Sequence, residues 1–285
     1  KRPEIDRWVL SLLNTLVADV TEALDDYEPT RAARAIAEFV GENLSNWYVR
    51  LNRKRFWGGG MTEDKLSAYQ TLYTCLRTVT LLMAPFAPFF ADELYRALTG
   101  KEESVHLAKY PEVDASLLSP ELEKRQKMAQ DITSMALALR RKVNLKVRQP
   151  LGSVMIPVSD DEMRLSLEAI SDLVKSEINV KEIKLAGADE NIIVKSARPD
   201  FKKLGPKHGK NMKAVAEAIK NLDTTQVSEL ERAGHITLDI NGTPAVIDLV
   251  DVDIISEDIP GWLVANNGPL TIALDVTVTP ELRRE

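Results

Sequence analysis

One stretch of the chain presents two helical faces at once: Asn46-Trp47-Tyr48-Val49-Arg50-Leu51-Asn52-Arg53-Lys54-Arg55-Phe56-Trp57. On a helix, three cations and an indole recur at i, i+3, i+4 and i+7 and therefore share one face: Arg50, Arg53, Lys54 and Trp57. Such cations neutralise phosphates, and an aromatic ring or a guanidinium plane stacks on an unpaired base. Trp47, Tyr48 and Leu51 fall on the other side, where they can anchor the helix. The alternative is a solvated basic face without a ligand.

Helical periodicity extends on both sides of this stretch, from about Pro3 to about Val143. Apolar residues recur at three- and four-residue steps from Ile5 to Val20, and again from Ile36 through Val40 to Leu51. Prolines and glycines that start or end helices separate these segments: Pro29, Gly58–Gly60, Pro85, Pro88 and Gly100, with Thr62 as an N-cap. The pattern predicts four or five long helices, and hence an antiparallel helical bundle over residues 1–150.

The periodicity shortens after Gln149-Pro150-Leu151-Gly152. Strand-like segments around a helix from Asp160 to Lys175 predict a small α/β domain over residues 151–200. A charged helical segment from Lys202 to about Leu230 is followed by two-residue alternation, with Asn241-Gly242 as a hairpin turn. Residues 201–285 are therefore predicted to form a helical hairpin plus a β-rich domain. The expected fold class is multidomain, with an α bundle first, then a small α+β domain and a mostly β domain.

Composition excludes several classes of protein. Apolar residues make up 44% of the 285 residues and charged residues 28%, which is typical of a folded soluble chain. No apolar run is long enough to span a membrane. The single cysteine, Cys75, rules out an internal disulfide or a multi-cysteine zinc site, and we expect it to pack in the core. A net charge of −6 argues against a generic nucleic-acid coat protein, so any RNA contact must be concentrated in patches. These features predict a cytoplasmic location.

Two further segments concentrate positive charge. The first carries five cations in nine residues without an acid: Arg140, Arg141, Lys142, Lys146 and Arg148. It is either an RNA-binding junction or an exposed linker kept soluble by its charge. The second surrounds Gly205 and Gly209 with lysines: Lys202, Lys203, Lys207 and Lys210. Its glycines resemble a phosphate-binding loop, but their spacing is not that of a P-loop, so the signal for a nucleotide is weak.

These segments, in this order, resemble the C-terminal portion of the isoleucyl-tRNA synthetases, a class I aminoacyl-tRNA synthetase family. The stretch 46–57 resembles the family's most recognisable helix, and Met83–Phe89 is similar to a proline-rich bend shared by several class I enzymes. The other similar segments lie at Glu4–Ser11, Val147–Leu151, Asn179–Glu182, Phe201–Lys213 and Ala273–Glu285. Valyl-tRNA synthetases share the bend and the bundle, but we expect them to lack the run from Arg50 to Trp57.

The resemblance implies a parent enzyme that joins isoleucine to tRNA with ATP and Mg²⁺, and that edits its errors in a separate domain. The catalytic signatures of class I synthetases are missing, so no catalytic or metal-binding residue is expected here, and a zinc ion of the parent would have no ligands in this chain. The implied partners are isoleucine tRNA and the catalytic core of the same polypeptide, with no membrane and a monomeric state. The implied tRNA contacts are Arg50, Arg53, Lys54, Arg55, Trp57, Arg141, Lys142, Lys146, Arg148, Lys202, Lys203, Lys207 and Lys210.

Three alternatives remain open at this point. The chain could be the corresponding fragment of a valyl-tRNA synthetase. It could be a structural domain that docks on the synthetase core through apolar bundle surface, with little RNA contact. It could also be an independent nucleotide-binding module that uses the Gly205–Lys210 loop. Salt-sensitive binding of RNA would favour a tRNA-binding fragment, whereas salt-insensitive docking through apolar surface would favour the structural domain. A titration with ATP tests the nucleotide-binding module.

Overall fold

The computed structural model describes residues 2–100, 103–187, 194–208, 211–240, 243–257, 261–268 and 270–284. The chain divides into two compact units, Lys1–Gln126 and Lys127–Glu285. These limits differ from the three segments predicted from the sequence. No helix in the described ranges is both long and apolar enough to cross a membrane.

The first unit is helical, as the periodicity predicts. Its elements are α1 (Glu4–Asp25), α2 (Pro29–Glu38), a π-helix (Phe39–Val49), α3 (Arg53–Trp57), α4 (Glu63–Met83), α5 (Pro88–Thr99) and the start of α6 (Pro120–Lys142). Helix α1 packs against α2 and α4, and α4 packs against α3 and α5. The core of this unit therefore forms around α1, whose apolar stripe is buried from Val9 to Val20.

The predicted helix boundaries have local physical causes. Pro29 and Pro88 occupy the first turns of α2 and α5, where their missing N–H groups leave no helical bond unmade. The Thr62 hydroxyl caps α4 by accepting a hydrogen bond from the Lys65 amide at 3.1 Å. Gly100 ends α5 in the left-handed conformation with φ +67°, which glycine adopts without steric cost. All four boundaries confirm the sequence-based prediction.

The segment between α2 and α3 differs from the prediction in register. Residues Phe39–Val49 form a π-helix, in which the Arg50 amide bonds to the Ser45 carbonyl five residues earlier. The wider turn places Phe39 and Leu44, five residues apart, in the core. Val40, predicted on the buried stripe at an α-helical spacing, is only half-buried, so that prediction is wrong.

The second unit is built around a four-stranded mixed sheet in the order β2-β1-β8-β7. Its strands are β1 (Leu151–Pro157), β2 (Val180–Ala186), β7 (Trp262–Asn267) and β8 (Leu270–Asp275). Strands β1 and β2 are parallel and are joined by α7 (Asp161–Ile178), which packs on β2, while β8 pairs antiparallel with both β1 and β7. The sheet thus combines strands from both sides of the boundary predicted at residue 200, because β8 of the hairpin β7–β8 pairs with β1.

The chain between β2 and β7 forms a separate cluster with its own core. Its elements are β3 (Val194–Pro199), α8 (Phe201–His208), α9 (Met212–Lys220), α10 (Thr224–Ala233), β4 (His235–Ile240), β5 (Thr243–Asp248) and β6 (Val252–Glu257), followed after β8 by the short α11 (Pro280–Arg284). Strands β3 and β6 pair antiparallel, as do β4 and β5. Leu204, Val215, Leu230 and Ile247 are completely buried in this cluster. The predicted turn at Asn241-Gly242 lies outside the described residues.

Candidate nucleic-acid interface

The stretch 46–57 separates its two kinds of side chain as predicted. Trp47, Tyr48 and Phe56 are buried, whereas the four residues of the predicted binding face are exposed: Arg50, Arg53, Lys54 and Trp57. Trp57 has 72% of its surface open to solvent. The helix is not continuous, because Asn52 leaves helical geometry (φ −95°, ψ 12°) before α3 begins. Its side-chain amide donates to the Tyr48 carbonyl at 2.7 Å and holds this bend.

Three exposed cations of this face differ in how they are held. Arg50 donates from Nε to the Asn46 carbonyl at 2.8 Å, and its guanidinium carbon lies 5.7 Å from the centroid of the Trp47 ring. Arg53 and Lys54 make no side-chain hydrogen bond or ion pair with any residue that the structure describes. Arg53 and Lys54 therefore present unpaired positive charge next to an exposed indole.

Arg55 faces the protein instead of the solvent, with only 16% of its side chain exposed. Both of its terminal nitrogens donate to the Asp6 carboxylate, at 2.7 and 3.0 Å. Its Nε and Nη2 donate to the Asp64 carboxylate, both at 2.8 Å, and its Nη1 also reaches the Asn52 side chain. These bonds engage all five N–H donors of the guanidinium. The hydrogen bond to Asp6 is the largest influence that raises the pKa of Arg55, so the group stays charged.

Asp6 is the centre of this network and is completely buried on α1. Besides Arg55, it accepts hydrogen bonds from the Tyr48 hydroxyl at 2.9 Å and the Ser67 hydroxyl at 3.0 Å. One carboxylate thus ties together α1, the π-helix, α3 and α4. Burial, and then the neighbouring Asp6 charge, raise the pKa of Tyr48 far above its ordinary value, so this hydroxyl remains a donor.

Aromatic contacts complete the attachment of α3 to α4. The buried Phe56 ring meets the rings of Tyr48, Trp57 and Tyr69 edge to face, with centroids 6.2, 6.3 and 5.4 Å away. The Tyr69 hydroxyl donates to the Phe56 carbonyl at 3.1 Å, and the Lys65 ammonium donates to the Gly58 carbonyl at 2.6 Å. These contacts attach the C-terminal end of the five-residue helix that carries Arg53, Lys54 and Trp57 to α4.

The basic run of the second unit contains one cation that is not available at the surface. Arg140 is 1% exposed. It donates to the carbonyls of Gln149 at 2.8 Å, Ile178 at 2.7 Å, Asn179 at 2.9 Å and Lys146 at 3.2 Å. Burial lowers the pKa of Arg140, but four carbonyl oxygens compensate the buried charge. Four of the five cations of this run are therefore available at the surface, and Arg140 is not.

The remaining cations of the run are exposed at the end of α6 and on the loop that follows it. They are Arg141, Lys142, Lys146 and Arg148. Asn179, in the left-handed conformation (φ 50°, ψ 60°), donates from its side chain to the Val147 carbonyl at 2.9 Å and the Arg148 carbonyl at 3.2 Å. Together with Arg140 it binds the carbonyls of four successive residues, 146–149. The backbone of this loop is thereby fixed, while the Lys146 and Arg148 side chains remain exposed.

The third basic segment is not a loop in the part that the structure describes. Gly205 lies inside α8, as the predicted helical segment from Lys202 requires, and the alternative of a phosphate-binding loop has no support as far as His208. Lys203 is exposed but donates to the Val250 carbonyl at 2.9 Å and pairs with Asp200 at 3.2 Å. Lys202 and Lys207 lie on α8, and their side chains, like the whole of Lys210, lie outside the described part.

Sequence reasoning missed the acids and the asparagine that fix these cations. A signal for Asp6 exists, because it precedes Val9 and Leu13 by three and seven residues and so lies on the buried stripe of α1. A buried carboxylate requires a cationic or hydrogen-bonding partner. Asn179 follows the last helical residue of α7, where asparagine often takes the left-handed conformation. For Asp64 no comparable signal is present in the sequence.

Residues 6–156 match the family model described as the anticodon-binding domain of tRNA ligase. The chain belongs to this family. The matched range begins at Asp6 and ends in β1, so it includes the face at 50–57, its supporting network and the loop that carries Lys146 and Arg148.

Three relatives, each named isoleucine–tRNA ligase, are similar to this anticodon-binding chain along its whole length. The proteins of Porphyromonas gingivalis and Bacteroides fragilis are each 61% identical to it, and that of Bacteroides thetaiotaomicron is 58% identical. Each match covers 100% of this chain but 25% of the relative. The chain therefore spans about a quarter of the length of these ligases.

Proposed function

We propose that this chain binds the anticodon region of isoleucine tRNA as part of an isoleucine–tRNA ligase. One observation carries the proposal: Arg53 and Lys54 are exposed and unpaired beside the exposed Trp57 ring, on a helix that a buried network holds in place. Unpaired cations next to a free aromatic ring suit a single-stranded RNA loop, because they bind phosphates while the ring stacks on a base. The names of the 58–61% identical relatives supply the choice of isoleucine.

The geometry divides the residues of the first unit into two roles. Arg50, Arg53, Lys54 and Trp57 contact RNA in this proposal. Arg55 becomes a positioning residue, since both carboxylates and Asn52 already take its five donors and leave none for a phosphate. This replaces the sequence-based assignment of Arg55 as a direct contact.

The second unit contributes a further set of phosphate contacts in this proposal: Arg141, Lys142, Lys146 and Arg148. The loop that carries Lys146 and Arg148 is preformed and loses little conformational entropy when it binds, so these two cations contribute more of their attraction to affinity. Contacts by Lys202, Lys203, Lys207 and Lys210 stay predictions. So do the ATP- and Mg²⁺-dependent chemistry, the zinc ion, the monomeric state and the cytoplasmic location that the resemblance implies for the whole ligase.

The test compares the salt dependence of RNA binding between the chain and its Arg53→Ala/Lys54→Ala variant. Each phosphate contact contributes roughly 0.7–0.9 to the slope of log K against log salt concentration, so the double substitution is expected to flatten the slope by about 1.4–1.8. Arg34→Ala is the matched control, because Arg34 is an exposed cation on α2 in the same unit. An unchanged affinity and slope in the double variant would remove this face from the RNA site.

A second arm of the experiment tests which tRNA is bound. Filter binding with isoleucine, valine and methionine tRNAs at one salt concentration is expected to rank isoleucine tRNA first. Preference for valine tRNA would instead assign the chain to a valyl-tRNA synthetase. Equal affinity for all three would leave only non-specific electrostatic binding.

A further inference from the structure

The α4 helix carries a second set of exposed aromatic rings beside the proposed RNA face. Tyr69 and Tyr73 expose 43% and 42% of their surfaces. They are four residues apart, so they lie on one side of the helix, separated by about 6 Å along its axis. Arg77 continues the row by another four residues and is partly exposed. We call Tyr69, Tyr73 and Arg77 the α4 row.

The α4 row is continuous with the exposed residues Arg50, Arg53, Lys54 and Trp57, which we call the α3 face. The Tyr69 ring lies 5.4 Å from the Phe56 ring, which in turn contacts Trp57 at 6.3 Å, and the Tyr69 hydroxyl is bound to the Phe56 carbonyl. Tyr69 is therefore oriented by the same contacts that attach α3 to α4. Tyr73, by contrast, makes no hydrogen bond or ring contact with the described residues, so its ring and hydroxyl are available to a ligand.

The charge along this row favours a polyanion as its ligand. From Lys65 to the end of α4 at Met83 the sequence contains two cations and no acid, and the next acid after Asp64 is Asp92. Arg77 has no side-chain partner among the described residues. The row thus begins at Tyr69, which contacts Phe56 of α3, and ends at the unpaired cation Arg77.

From this arrangement we infer that the α4 row binds unpaired nucleotides of the RNA that the α3 face holds. Tyr69 and Tyr73 stack on bases, and Arg77 binds the phosphate that follows. The inference rests on the proposed function and extends its site from α3 along α4. Stacking on tyrosine tolerates any base, so the row selects single-stranded over paired RNA instead of reading a sequence.

The test uses two RNA probes, the anticodon stem-loop of isoleucine tRNA and a blunt RNA duplex with the same number of phosphates. Tyr73→Leu removes the ring but keeps an apolar side chain. Because each base stack is worth about 1–3 kcal/mol, this variant is expected to bind the stem-loop about tenfold more weakly at an unchanged salt slope. Binding of the duplex is expected to stay within about twofold, since a paired base offers no free face to the ring.

Two variants serve as controls for the ring and for exposure. Tyr73→Phe keeps the ring and is expected to keep the affinity. Phe89→Leu removes a ring that is 91% exposed on α5, in the same unit, and is expected to leave the affinity for both probes unchanged.

Arg77→Gln is expected to flatten the salt slope by roughly 0.7, the contribution of one single-strand phosphate contact.

The outcomes separate this inference from the proposed function. If Tyr73→Leu binds the stem-loop like the unaltered chain while Arg53→Ala/Lys54→Ala weakens it, the α4 row is not part of the site and the proposed function stands. An equal loss on both probes also overturns the inference, because stacking requires an unpaired base. If neither variant affects RNA binding, both proposals fail.

Discussion

Removal of the Arg55 side chain should destabilise the first unit and weaken RNA binding without removing a phosphate contact. Arg55→Ala leaves the completely buried Asp6 carboxylate without its cation. Breaking a buried pair on one side costs about 3–5 kcal/mol. Two hydroxyls still donate to Asp6, and Arg55 itself is 16% exposed, so we expect the lower end, about 3 kcal/mol.

Urea unfolding followed by tryptophan fluorescence measures this loss, because three of the four tryptophans lie in the first unit: Trp8, Trp47 and Trp57. Asp64→Asn is the matched control. Its carboxylate is 57% exposed, so the loss should stay below about 1 kcal/mol. The pair Asp6→Asn with Arg55→Gln should recover more than about half of the loss, because no uncompensated charge then remains buried.

The same Arg55→Ala variant distinguishes positioning from direct contact in RNA binding. If Arg55 only positions α3, affinity falls because binding must order the helix, while the salt slope is unchanged. A slope flatter by roughly 0.7–0.9 would instead show that Arg55 touches a phosphate. That result, or a stability loss below about 1 kcal/mol, would refute the assignment of Arg55 to the network.

Two further predictions concern buried groups outside that network. Arg140→Met removes the side-chain donor of four carbonyls, but those of Lys146 and Asn179 keep the backbone amides of Gln149 and Leu151. The carbonyls of Gln149 and Ile178 lose their donor, each worth about 1–3 kcal/mol if it stays unsatisfied, so we expect a loss of at least about 2 kcal/mol in urea unfolding monitored by Trp262. A loss within about 1 kcal/mol would mean that the loop 143–149 does not depend on Arg140. Burial raises the pKa of Cys75 to about 12, so the thiol stays protonated at pH 8, and iodoacetamide should label it only after unfolding. Labelling of the folded chain at the rate of a free thiol would contradict this burial.

Periodicity and helix-ending residues were sufficient to predict the helical unit. The caps and breaks at Pro29, Thr62, Pro88 and Gly100 are local, so their chemistry can be read from a few neighbouring residues. The π-helix was not predictable in this way, because its five-residue spacing is stabilised by packing of Phe39 and Leu44 in the core. The pairing of β8 with β1 likewise depends on contacts between segments more than 100 residues apart, which alternation within one strand does not encode.

The exposed cations of the two faces could be predicted, but their support could not. Spacing on a helix shows that Arg53 and Lys54 share one side, and it separates them correctly from Trp47 and Tyr48. It does not show which arginine turns inward, since Arg55 and Arg140 occur in runs of similar charge. That choice depends on acceptors far away in sequence, Asp6 in one unit and the carbonyls of Ile178 and Asn179 in the other.

In each of the two basic runs one arginine, Arg55 or Arg140, is held by protein acceptors and is not available to RNA. The number of phosphate contacts therefore has an upper limit. Seven predicted contact cations are exposed on the α3 face, at the end of α6 and on the loop that follows it: Arg50, Arg53, Lys54, Arg141, Lys142, Lys146 and Arg148. With roughly 0.7–0.9 per contact, these residues can account for a salt slope no steeper than about −5 to −6. A measured slope near −3 would mean that one of the two sets does not engage RNA. A slope clearly steeper than about −6 would require further cations, and variants of Arg77 and of the lysines at 202–210 would then identify which of them contribute.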